Sequence, residues 1–139
     1  MTGVQTCALP IWGFAEDQGT VKTIREVYDR YDHCVDTHTA VGFNVYERYY
    51  ARSGDTAKTV FVSTASPYKF AETVTDALFG EGYHKGRSWD TLMNELSDET
   101  GLEIPDTLSR LSSRAVLHPS KINKSEMKEK VRECLLKDK

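Results

Sequence analysis

The chain has 139 residues, 39% of them hydrophobic and 28% charged, with a formal net charge of −3. That length suits one domain with its own core, and the slight negative charge excludes a general attraction to nucleic acid or anionic membrane. No apolar run approaches the roughly 20 residues that span a bilayer, and Cys7, Cys34 and Cys134 show neither CxxC nor zinc spacing, so a reducing, cytoplasmic setting without disulfide or metal site is expected.

Residues 1–11, "MTGVQTCALPI", have no basic start and no helical or strand period. They resemble the translation of a common short-read sequencing adapter. Residues 1–12 are therefore expected to be a non-native scar, with the natural frame entering near Trp12 or Gly13 and residues 13–139 forming the protein proper. An ordinary N-terminus is the plain alternative.

Gly19 to Asp32 reads as a helix, with Val21, Ile24, Tyr28 and Tyr31 on one face. Arg25 and Asp29 pair at i,i+4 on another. Asp36 suits the N-cap of a second helix, where its carboxylate would take free backbone N–H groups. Val41, Val45 and Tyr49 give that helix an apolar stripe, and Ser53-Gly54-Asp55 ends it. Gly42 inside it costs about 1 kcal/mol against Ala, which suggests close approach of another backbone or a ligand.

Thr59 to Ser63 is an unbroken β-branched and aromatic run, the pattern of a strand covered on both faces of an α/β sheet. Ser66 and Pro67 then form a strong helix start. Phe70, Val74, Ala77 and Leu78 make the buried face, and Gly80 stops the helix. "GEGYHKGR", residues 80–87, is a loop. Ser88 caps a further helix with Trp89, Leu92, Met93 and Leu96 inward and Gly101 at its end. Pro105 and Asp106 open a short helix through Leu111, Ala115 to Leu117 is a short strand candidate, and Ser125 starts a last helix with Met127, Val131, Cys134 and Leu135 on one face. One firm strand makes no sheet by itself, so an incomplete domain is expected.

Two places carry candidate chemistry. The strand's carboxyl end, Ser63-Thr64-Ala65-Ser66, runs into a helix N-terminus, where α/β proteins bind ligands and anions; a polar strand end with a capping Ser satisfies the same pattern. In "DTHTAVGF", residues 36–43, His38 beside Asp36 and Thr39 can touch a ligand or move a proton; a capping Asp and a loop-bonding His satisfy it equally. Lys69, on the exit helix, suits a solvated or phosphate-facing role better than a Schiff-base one. His33, His84 and His118 read as isolated loop or surface residues. No Gly-rich phosphate loop, Ser-His-Asp order or nucleic-acid motif is visible.

Taken together, "TIREVYDRY", "DTHTAVGFNVYERY" and "VFVSTASPYKFAETVTDAL" resemble the C-terminal part of threonine synthase of the bacterial and fungal type. The family patterns are Asp-Pro-His-Thr-Ala-Val-Gly and Ser-Thr-Ala-x-Pro-x-Lys-Phe; Thr37 departs from the first, where Pro is usual. The resemblance covers about residues 13–136 and is densest over 23–78. It implies the C-terminal portion of a pyridoxal-phosphate-dependent, fold type II α/β enzyme (tryptophan synthase β-like), helix-rich with few strands. The complete enzyme would convert O-phosphohomoserine and water to threonine and phosphate.

The resemblance further implies that a hydroxyl residue contacts the cofactor's ring nitrogen: Thr64, with Ser63 as the neighbouring alternative. Asp36, His38, Thr39 and Lys69 would border the active site. The Schiff-base lysine and the cofactor-phosphate loop are expected upstream, so no catalytic residue is assigned within this chain and the chain alone is expected to be inactive. Two other readings stay open: a non-catalytic α/β binding or interaction module, and a paralogous enzyme acting on another phosphorylated amino acid.

Overall fold

The computed structural model describes residues 12–117 and 121–137. The expectations for residues 1–11, including Cys7, and for His118 lie outside them. The chain divides into two compact units, residues 1–109 and 110–139.

The first unit is helical. Helix α1 spans Asp17–Tyr31 and closes with Asp32 in the left-handed conformation (φ 50°), its N–H donating to the Tyr28 carbonyl. Helix α2 spans Thr37–Ser53 behind the Asp36 cap and ends at Gly54 (φ 65°). A 3₁₀ turn, Pro67–Phe70, follows the Ser66 cap and runs directly into α3, Ala71–Phe79. Helix α4 spans Trp89–Thr100, with the Ser88 hydroxyl accepting from the Thr91 N–H and Gly101 at φ 67° after it. A single turn, α5, spans Asp106–Ser109.

Helix α1 packs on α2 and α3, and α3 packs on α4. Ile24, Val35, Ala40, Tyr68, Val74, Leu92 and Leu96 are buried at the centre. Each fully buried large aliphatic side chain contributes about 1.5–3 kcal/mol. Polar groups stitch the same surfaces. Asn44 Nδ2 donates to Thr23 Oγ1 (3.0 Å) between α1 and α2, Arg25 Nη1 donates to the last-turn Leu78 carbonyl (2.6 Å), and the Tyr68 hydroxyl donates to the Leu102 carbonyl (2.5 Å).

The expected faces need adjustment. In α1 the buried residues are Thr20, Thr23, Ile24 and Val27, while Tyr31 is exposed. Two helices contact α1, so the buried arc turns away from the Val21–Tyr31 line. In α2 the stripe Val41, Val45 and Tyr49 is only half-buried, and full burial falls on Thr39 and Ala40 near the N-terminus.

The largest correction concerns Thr59–Ser63. No strand forms among the described residues. The run has no regular secondary structure and, Phe61 apart, is exposed, with Val60 at 85% and Val62 at 76%, and among the described residues no backbone–backbone hydrogen bond engages residues 58–64. A strand exists only through a neighbour's ladder, and this segment has none here. Ala115–Leu117 likewise forms no strand.

The second unit holds a 3₁₀ turn, Lys124–Glu126, preceded by an Asn123–Glu126 capping box, and helix α6, Met127–Lys137. The apolar face expected for α6 is present in the sequence, but Met127, Val131, Cys134 and Leu135 are exposed.

Candidate functional site

The α2 N-terminus is built around Asp36, whose side chain is fully buried. As N-cap it accepts from the His38 N–H (2.8 Å) and the Thr39 N–H (3.4 Å). Its other oxygen, Oδ2, accepts a short hydrogen bond from the Thr39 hydroxyl and a second from Ser63 Oγ at 3.2 Å. The two hydroxyls lie 3.0 Å apart. Burial pushes the Asp36 carboxyl up, but these hydrogen bonds outweigh it and hold the group below the ordinary carboxylate range. His38 Nδ1 stands 3.3 Å from Oδ1, and its ring tilts against Phe70 at 5.0 Å.

This cluster grips the segment that contains residues 59–63. Ser63 is tied to Asp36 and Thr39, 27 and 24 residues before it. Two residues earlier, Phe61 stacks on Phe43 of α2 (3.8 Å between centroids, 9° between planes) and meets Tyr46 edge-on. Thr64 comes next after Ser63, exposed, on a hollow of about 230 Å³ that His38, Thr39 and Gly42 also line. Its hydroxyl makes no hydrogen bond among the described residues. A Cβ on Gly42 would meet Phe61 at an ordinary 3.9 Å, so no close approach within the described residues requires glycine there.

The structure thus brings Asp36, His38, Thr39, Ser63 and Thr64 together. Lys69 is exposed on the 3₁₀ turn and its side chain makes no hydrogen bond or ion pair among the described residues.

A second cleft, about 570 Å³, lies among α1, α2 and α3, lined by Asp17, His38, Phe70, Glu72 and His84, among others. His84 is not isolated. Its Nδ1 lies 2.8 Å from both Asp76 oxygens, and Asp76 also accepts from the N–H groups of Gly82 (3.1 Å) and His84 (3.0 Å). Burial raises the Asp76 carboxyl, but the His84 and Gly82 contacts prevail and lower it. The sequence signal was an Asp eight residues ahead of the His across a two-glycine turn. Cys34 is buried, which pushes its thiol up to about 12 and leaves it unreactive.

A sequence profile described as "Threonine synthase, C-terminal" matches residues 39–116, more than half of the chain. The chain belongs to the threonine synthase C-terminal family. Thr39, Ser63, Thr64 and Lys69 fall inside the matched stretch; Asp36 and His38 immediately precede it. A threonine synthase of Corynebacterium glutamicum is 35% identical over 71 residues, which covers 48% of this chain and 14% of that protein. The chain therefore spans about one seventh of the length of that relative. Among the described residues, no helix of this threonine synthase C-terminal chain is long and apolar enough to cross a membrane.

Proposed function

We propose that this chain acts as the C-terminal part of a pyridoxal-phosphate-dependent, cytoplasmic threonine synthase that converts O-phosphohomoserine and water to threonine and phosphate. Family membership supports the reaction class. The observation that carries the site is the contrast between adjacent hydroxyls. Ser63 Oγ is occupied by Asp36 and Thr39, whereas the Thr64 hydroxyl is exposed and, among the described residues, unengaged on an open hollow.

A pyridine nitrogen needs one free hydroxyl partner, and Thr64 fits that requirement where Ser63 does not. Bound pyridoxal phosphate supplies an electron sink for charge developing on the amino-acid substrate. Thr64 orients its ring and, being neutral, does not hold a proton on the ring nitrogen as a carboxylate would. Thr39 and His38 wall the same hollow and limit water beside the ring. The exposed valines of residues 59–63 form the edge that an adjoining strand of the complete enzyme covers.

The test compares the 139-residue chain with the complete protein encoded by the genomic frame extended upstream of Trp12. With pyridoxal phosphate added, the complete protein develops the near-visible absorbance of a lysine-linked cofactor and releases phosphate from O-phosphohomoserine. The chain alone does neither. A near-visible band from the chain alone that depends on one specific lysine overturns this reading, as does a complete protein without phosphate release.

A further inference from the structure

We propose that Asp36 is a positioning residue: its buried carboxylate, through Ser63, sets where Thr64 presents its hydroxyl. The inference rests on the reading of Thr64 above and extends it to a residue that touches no ligand.

No backbone ladder holds residues 59–63 among the described residues, and Val60 and Val62 point into solvent. Two clips remain. One is the Phe61 ring on Phe43, a face-to-face contact that permits sliding. The other is Ser63 Oγ on Asp36 Oδ2 and Thr39 Oγ1, at 3.2 Å and 3.0 Å. Hydrogen bonds to a charged acceptor are directional and about twice as strong as neutral ones, so the polar clip, not the aromatic one, sets position.

The clip is itself rigid. Asp36 is fixed by two backbone N–H groups of α2 and by the Thr39 hydroxyl. Ser63 Oγ also lies 3.3 Å from the Ala65 carbonyl, and the chain bends at Ala65, just past Thr64. Thr64 is thus bracketed between a side chain locked to α2 and a turn leading to the Ser66 cap. An N-cap needs only the two N–H bonds; the oxygen given to the two hydroxyls, one of them 27 residues away, serves the segment.

The experiment uses the complete enzyme carrying pyridoxal phosphate labelled with ¹⁵N in its ring, and compares Thr64→Val, Ser63→Ala, Ser63→Thr and Asp36→Asn. Ser63→Ala removes an exposed hydroxyl and leaves the helix cap intact, so it stays informative if Asp36→Asn fails to fold. Ser63→Ala and Asp36→Asn are expected to move the ring-nitrogen resonance in the same direction as Thr64→Val. They should lower kcat by roughly 10- to 100-fold, as a misplaced contact does, with KM within about twofold, and Ser63→Thr should restore both readouts. A resonance that moves in Thr64→Val but not in Ser63→Ala overturns the positioning role and leaves the Thr64 reading standing. A resonance unmoved in Thr64→Val overturns that reading itself.

Discussion

Two connections of the first unit make opposite bargains with solvent. The loop from Gly80 to Arg87, between α3 and α4, closes on itself. Its turns donate Tyr83 N–H to Gly80 O, Lys85 N–H to Gly82 O and Arg87 N–H to His84 O at 3.0–3.1 Å. Asp76 takes two further N–H groups, and the Arg87 guanidinium sits 3.8 Å over the Tyr83 ring. The segment from Ala57 to Thr64, between α2 and α3, does the reverse. Its centre, Val60-Phe61-Val62, is apolar, its valines face water, and among the described residues side chains alone hold it. Buried backbone groups must be paired and large apolar side chains favour burial. The first connection is complete as it stands; the second has the composition of a surface meant to be covered.

The largest effect that sharpens this contrast is expected at the anchor of the open segment. Asp36→Ala removes an N-cap and a buried charged acceptor and should cost roughly 2–4 kcal/mol in urea denaturation of the chain. A loss under about 1 kcal/mol would mean that the anchor is not formed. In the closed loop, Asp76→Ala should cost about 2 kcal/mol and abolish amide-exchange protection at Gly82 and His84.

Both carboxyls titrate below their ordinary values in the folded chain. Their stabilising contribution is therefore fully present above the unfolded-state pKa, near 4, and is lost as pH falls through the lowered folded values. The urea midpoint of the wild type should fall between about pH 4 and pH 2 more steeply than that of an Asp36→Asn, Asp76→Asn double variant. Parallel curves would contradict this assignment.

Val62→Ser distinguishes the settings directly. In the chain alone the change should stay within about 0.5 kcal/mol, as at an exposed position. In the complete enzyme it should cost about 2 kcal/mol, because the valine is then covered. Equal small effects in both would remove the case for a covered edge. At the aromatic clip the effect is smaller than at the covered valine: Phe61→Ala should cost about 1 kcal/mol and increase amide exchange over residues 59–63.

Much of the helical frame was legible in the sequence because its ends are marked by local chemistry. Asp36, Ser66-Pro67 and Ser88 open the helices expected from them, and Gly54, Gly80 and Gly101 close the same three at positive φ. These signals act within a few residues and need no tertiary context. The strand expected at Thr59–Ser63 does not form among the described residues because an unbroken β-branched and aromatic run reports a tendency to burial, not the presence of a neighbour. The Asp36–Ser63 contact was invisible for a related reason: only the packed helices bring the two residues together. The Asp76–His84 contact left a local mark, the two-glycine turn between residues eight apart, but its geometry needed the folded turn. Within the candidate site the residue types were legible, whereas the division of labour between Ser63 and Thr64 needed coordinates.

The most direct test of the central claim is a structure of the complete enzyme with pyridoxal phosphate bound. The account predicts the Thr64 hydroxyl within hydrogen-bonding distance of the ring nitrogen and Ser63 Oγ still on the Asp36 carboxylate. A ring nitrogen bonded to any other group, with Thr64 turned away from the cofactor, would contradict it.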